Sequence, residues 1–131
     1  MIVRRAGLPE IQKILILAKD IFPESEISIS PKDILFVAEK NGRLAGFAHL
    51  QAGKSGFVLQ GIGVAKEFRE MGAGSALLDA ALSYCREKGA SEVALEVEET
   101  NLRAARVYAK HGFVVSKQKG KTVLMQKAVH T

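Results

Sequence analysis

The sequence predicts an α/β (α+β) fold: a mixed central sheet of six to seven strands with helices on both faces. Three observations predict it. Asn41-Gly42 and Gly53-Lys-Ser-Gly56 sit between apolar β-branched runs, as hairpin turns do, and call for antiparallel pairing. Two amphipathic helical stretches, closed by Gly89 and Gly112, each separate two strand-like runs, and such crossings call for parallel pairing. The chain has 131 residues, 47% of them hydrophobic and 25% charged, enough for one domain, residues 1–131, with a real core.

Ile2 to Arg4 is short and β-branched enough to be a first strand. Pro9 fits the first turn of a helix running to Lys19, whose apolar positions Ile11, Ile14, Leu15 and Ala18 recur at helical spacing. Asp20 to Lys32 is irregular, broken by Pro23 and Pro31, with a short second helix expected between Glu24 and Ile29. Ile34 to Ala38 reads as a buried strand, Leu44 to Gln51 as its hairpin partner, and Val58 to Ala65 as the strand after that. The helix Ser75 to Lys88 presents Leu78, Ala81, Leu82 and Cys85 on one face and ends at Gly89. Val93 to Val97 is a strand, and Asn101 caps a helix to Lys110 that Gly112 closes. Phe113 to Ser116 and Thr122 to Gln126 finish the chain as strands.

The single cysteine, Cys85, has no internal disulfide partner, and no apolar run approaches the roughly 18 residues of a membrane span. Met1 to Arg5 lacks a secretory hydrophobic region, so the expected location is cytoplasmic, with no membrane partner. Net charge is +5, but the basic residues are scattered, which argues against a nucleic-acid partner. Lys117, Lys119 and Lys121 alternate along the C-terminal hairpin, where they make a solvated face or meet an acidic ligand. The edge of that hairpin is the expected surface for a homodimer.

Chemistry concentrates between Gly61 and Leu78. A strand passes through a short polar loop into Gly72 and Gly74, and a long helix follows at once. Amides at a helix start lack intrahelical acceptors and carry the positive end of the helix dipole, so this corner suits phosphate. A dinucleotide fingerprint fails here, because Leu77 stands where its third small residue belongs and antiparallel hairpins precede it. Gly120-Lys-Thr122 imitates the tail of a P-loop, yet Val115 replaces the upstream glycine and a strand follows.

Arg69-Glu-Met-Gly-Ala-Gly74, between the Ile62-Gly-Val64 strand and Leu77-Leu78, resembles the pyrophosphate loop of the GNAT superfamily of N-acetyltransferases. Asn101-Leu-Arg-Ala-Ala-Arg-Val-Tyr-Ala-Lys-His-Gly-Phe113 is similar to that family's second motif. Leu95-Glu-Val97 resembles the ribosomal-protein N-terminal acetyltransferase branch. The family loop often carries glycine and a basic residue where this chain has Glu70 and Met71.

The resemblance implies an acetyl-CoA-dependent N-acetyltransferase that needs no metal and acts on a protein N-terminal amine or a small-molecule amine. It implies a sheet splayed between the strand ending near Val64 and the strand 92–97, with the pantetheine arm lying in the gap. Ile62, Gly63 and Val64 would pair with that arm, and Gly61 with Gly63 would suit a bulge where the splay begins. Met71, Gly72, Ala73, Gly74 and Ser75 would hold the pyrophosphate, with Arg69 nearby, and Asn101 would contact the arm. Tyr108 would protonate the departing thiolate, since its ordinary pKa of about 10 lies just above that of a thiol. Glu96 would accept the amine's proton, directly or through water.

Plainer roles compete: Tyr108 packing on the sheet, Glu96 facing solvent, Glu98 or water as the base. His49 sits mid-strand, His111 beside a helix-ending glycine and Cys85 on an apolar helix face, all places that suit structure better than catalysis. A non-catalytic acyl-CoA-binding or nucleic-acid-associated module is the alternative from another class.

Overall fold

A computed structural model describes residues 1–129 of the chain. Seven strands form one sheet: β1 (Ile2–Arg5), β2 (Ile34–Lys40), β3 (Arg43–Ala52), β4 (Gly56–Val64), β5 (Glu92–Glu98), β6 (Val114–Lys119) and β7 (Thr122–Ala128). Their order in space is β1-β2-β3-β4-β5-β7-β6. All neighbours are antiparallel except β4 and β5. The helices are α1 (Ile11–Ile21), α2 (Ala73–Glu87) and α3 (Leu102–Lys110). The sheet is therefore mixed, as the sequence predicts.

Two cores flank the sheet. Leu77, Leu78, Ala81, Leu82 and Cys85 of α2 and Tyr108 of α3 pack with Leu50, Leu59, Leu95 and Val97 on one face. Ile14 and Ala18 of α1 pack with Leu35, Val37 and Phe47 on the other. Alternation sorts each strand between them: Leu95 and Val97 are buried beside α2 and α3, while Glu96 and Glu98 stand exposed on the α1 face.

Three details differ from the sequence expectation. Glu24 to Ile29 forms no helix; the segment has no regular structure, though Ile27 and Ile29 still pack against the α1 core. A six-residue stretch between prolines gains little from helical bonding, whose nucleation is costly, and burial decides its path. Secondly, β5 and β6 are not neighbours, because β7 lies between them. The hairpin turns its more apolar strand inward and leaves β6, with all six residues exposed, at the sheet edge. Thirdly, the bulge's extra residue is Gln60, since Leu59 pairs with Leu50 and Gly61 with His49. Gly63 has a packing role: a Cβ there would lie 2.7 Å from Phe47 and 2.9 Å from Phe22.

The feature that positions the site is the end of the β4–β5 ladder. Residues 56–59 pair with 92–95, and the two strands then part.

Candidate active site

Beyond Leu59 the edge of β4 that faced β5 has no partner strand. The Ala65 amide still donates to the Ala45 carbonyl on the other side. Antiparallel bonding alternates along a strand, so the Val64 amide and carbonyl turn the opposite way, toward the gap. The Val64 carbonyl accepts from Arg69 Nε at 3.3 Å.

After a 3-10 turn at Lys66–Phe68, the chain runs through Glu70 and Gly72 with φ of 65° and 80° before α2 begins. Left-handed residues spaced this closely tuck backbone amides into a concavity that suits anions. The first bond of α2 is Ala76 N–H to the Gly72 carbonyl, which leaves the amides of Ala73, Gly74 and Ser75 without helical acceptors. Asn101 Oδ1 caps α3 by accepting from Ala104 N–H at 3.2 Å. Gly112, at φ 94°, ends that helix, and the Phe113 amide returns to the Tyr108 carbonyl at 3.0 Å. The Phe113 ring meets Tyr108 edge-on at 5.8 Å, fixing the tyrosine ring against the core.

These elements enclose a cleft of about 520 Å³. Ile62, Gly63, Val64, Arg69, Gly72, Ala73, Gly74, Ser75, Asn101 and Tyr108 all line it. Met71 does not: its side chain is 51% exposed, with its sulfur 3.8 Å from Lys40 Nζ. Glu96 lies on a separate groove of about 680 Å³, with Val58, Gln60, Glu98, Ser116 and Thr122. Gln60 lines the groove, and Ile62, two residues further along β4, lines the cleft. Among the described residues, no Lys or Arg lines the groove.

Burial raises the pKa of the Tyr108 phenol above its ordinary 10, so the hydroxyl keeps its proton. Burial also pushes the Cys85 thiol up to about 11, in keeping with a core residue. His111 closes α3, with Nδ1 donating to the Val107 carbonyl at 2.9 Å and Nε2 3.2 Å from Asp79 on α2.

Two groups escape sequence reasoning. Arg103, on the first turn of α3, lines the cleft and lies 3.6 Å from Glu70 across its mouth. His49, 4% exposed, pairs with the buried Asp33 carboxylate at 2.7 Å, and Gln51 donates to the same oxygen at 3.1 Å. His49 and Gln51 fall two apart in β3 and so share a face, but their partner Asp33 lies 16 positions before His49. Among the described residues, no three His, Cys, Asp or Glu side chains converge as a metal site requires. No helix among them is long and apolar enough to cross a membrane.

Residues 10–113 match the family model described as Acetyltransferase (GNAT) family. The chain is 33% identical over 82 residues to streptothricin acetyltransferase A of Bacillus subtilis strain 168, covering 62% of this chain and 46% of that protein. It is 31% identical over 87 residues to a putative [ribosomal protein bS18]-alanine N-acetyltransferase of the same strain, covering 66% and 58%. It thus spans roughly half the length of these relatives. The crystal structure of the ribosomal-protein-S18-alanine N-acetyltransferase from Escherichia coli superposes with a TM-score of 0.81 at 21% identity, over 99% of this chain and 96% of that one.

Proposed function

The chain belongs to the GNAT acetyltransferase family, and from that premise we propose that it moves the acetyl group of acetyl-CoA directly onto an amine. The observation that carries this reading is the single cleft bounded by the open β4 edge, the free amides of α2 and the buried Tyr108. Amides at residues 71–75 hold the pyrophosphate, Met71 contributing its backbone alone, and Arg69 stands beside them. The pantetheine arm lies along Ile62 to Val64, near Asn101. Val64 N–H points at the thioester oxygen, where a donor aimed at developing charge is worth about 3 kcal/mol.

The amine nitrogen attacks the thioester carbon from the groove. Its lost proton passes to Glu96, directly or through water. The C–N bond forms, the C–S bond breaks, and the leaving sulfur takes the Tyr108 proton. No metal takes part in this scheme. The chain's Leu95-Glu-Val97 strand favours a protein N-terminal amine as acceptor. Likeness to streptothricin acetyltransferase A supports a small-molecule amine as the second reading.

Calorimetric titration with acetyl-CoA tests the cofactor, with Gly72→Arg/Gly74→Arg as the control expected to lose binding. A native chain that shows no saturable uptake would end this reading. Saturable uptake with no CoA released by any peptide or metabolite amine between pH 7 and 9 would favour a non-catalytic acyl-CoA-binding module.

A further inference from the structure

The buried Asp33 carboxylate reaches the acceptor groove through two glutamine side chains. Asp33 Oδ2 receives Ser30 N–H at 3.0 Å, His49 Nε2 at 2.7 Å and Gln51 Nε2 at 3.1 Å. Gln51 Oε1 in turn receives Gln60 Nε2 at 2.8 Å. Gln60 is the bulge residue of β4 and lines the groove together with Glu96, two residues before Ile62 of the cleft.

A side-chain amide can present either its oxygen or its nitrogen, and a carboxylate fixes the choice because it only accepts. Burial works to raise the Asp33 pKa, but the bonds from His49, the Ser30 amide and Gln51 outweigh it, so the group sits below its ordinary value and stays ionised. Gln51 must therefore turn its NH₂ inward and its oxygen outward. Gln60 must then give its NH₂ to Gln51, and its carbonyl oxygen is left over. Among the described residues that oxygen has no donor.

Building on the acetyltransferase reading, we propose that Gln60 positions the acceptor amine by accepting an N–H with its side-chain oxygen, and that Asp33 and Gln51 are positioning residues that fix this polarity. Gln60 and Glu96 then flank the incoming nitrogen. The groove accordingly takes an ammonium or amine, and offers an anionic acceptor no cationic side chain.

A double-substitution cycle tests this, using Gln60→Met, Gln51→Met and the pair, which keep side-chain length and remove the relay. Acceptors are an alanine-initiated pentapeptide and 1,4-diaminobutane. Both KM and calorimetric amine affinity in the presence of CoA are measured, and melting curves verify folding. Gln60→Met is expected to raise KM for the better acceptor about tenfold, as loss of a hydrogen bond to a charged group does. Acetyl-CoA affinity should stay within twofold. Gln51→Met, which removes no groove contact, should raise KM severalfold, and the pair should be no worse than Gln60→Met alone.

Additive effects, an unchanged KM in Gln60→Met, or a native protein that takes up neither amine would overturn the proposal. Failure of the acetyltransferase reading looks different: no amine is acetylated, while the same cycle appears in amine affinity. Acetylation with no cycle sinks the relay and leaves that reading standing.

Discussion

Tyr108 shows at one residue how burial serves chemistry. Tyr108 is 8% exposed and its ring is locked by Phe113, and burial raises the phenol's pKa, which favours the protonated form that a proton donor needs. Tyr108→Phe is expected to lower kcat by about 100-fold, the usual scale for loss of a general acid, with acetyl-CoA affinity within twofold. Steady-state kinetics with calorimetry checks both. Glu70 tells the opposite story, that of a residue its backbone does not suit. It holds φ at 65°, where a side chain costs about 1–2 kcal/mol. Glu70→Gly should raise thermal stability by about 1 kcal/mol and tighten acetyl-CoA binding by removing a carboxylate from the cleft mouth. A melting curve or calorimetric titration showing the reverse would refute that account. The sequence flagged Glu70 only as an unusual residue in the loop. Its left-handed backbone was invisible until the loop had a shape.

At the scale of elements, local signals were legible and long-range ones were not. Asn101 and Gly112 bracket α3, and Gly89 closes α2, because caps and left-handed residues are written within a few positions. The Asp33–His49–Gln51 cluster joins a loop to a strand 16 and 18 residues away. Nothing in the local spacing brings those side chains together, so His49 read as an ordinary mid-strand residue. The intrusion of β7 between β5 and β6 is the same kind of fact, decided by which strand of a hairpin has more apolar surface to hide. A third long-range knot ties β1 to its surroundings. Arg4 bridges Glu10 at 2.7 Å and Glu39 at 2.5 Å, and the Glu10 carboxyl is lowered from its ordinary 4.5 to about 2, chiefly by Arg4. Above pH 4.5 the carboxylate is charged in folded and unfolded chains alike, and its stabilisation is complete. As pH falls from 4.5 toward 2 the unfolded chain takes up the proton first, so stability drops across that window. Melts recorded through it should fall more steeply for the native chain than for Glu10→Gln.

For the molecule as a whole, the net charge and the charge of the groove differ in sign. The chain carries +5, yet the groove displays Glu96 and Glu98 and, among the described residues, is lined by no Lys or Arg. Acceptors with a carboxylate next to the amine should therefore be poor: free amino acids are expected to show kcat/KM at least tenfold below their amides, measured by CoA release. Equal rates would mean that this groove does not receive the acceptor. The fork in the sheet after Leu59 and Leu95 has one more consequence. Gly61 to Val64 form a half-zipped seam whose missing teeth are supplied, on the proposed reading, by the visiting molecule. Deuterium uptake at the Ile62 and Val64 amides should then slow markedly once acetyl-CoA is added. A protein built this way borrows part of its architecture from what it consumes, and loosens each time the spent carrier departs.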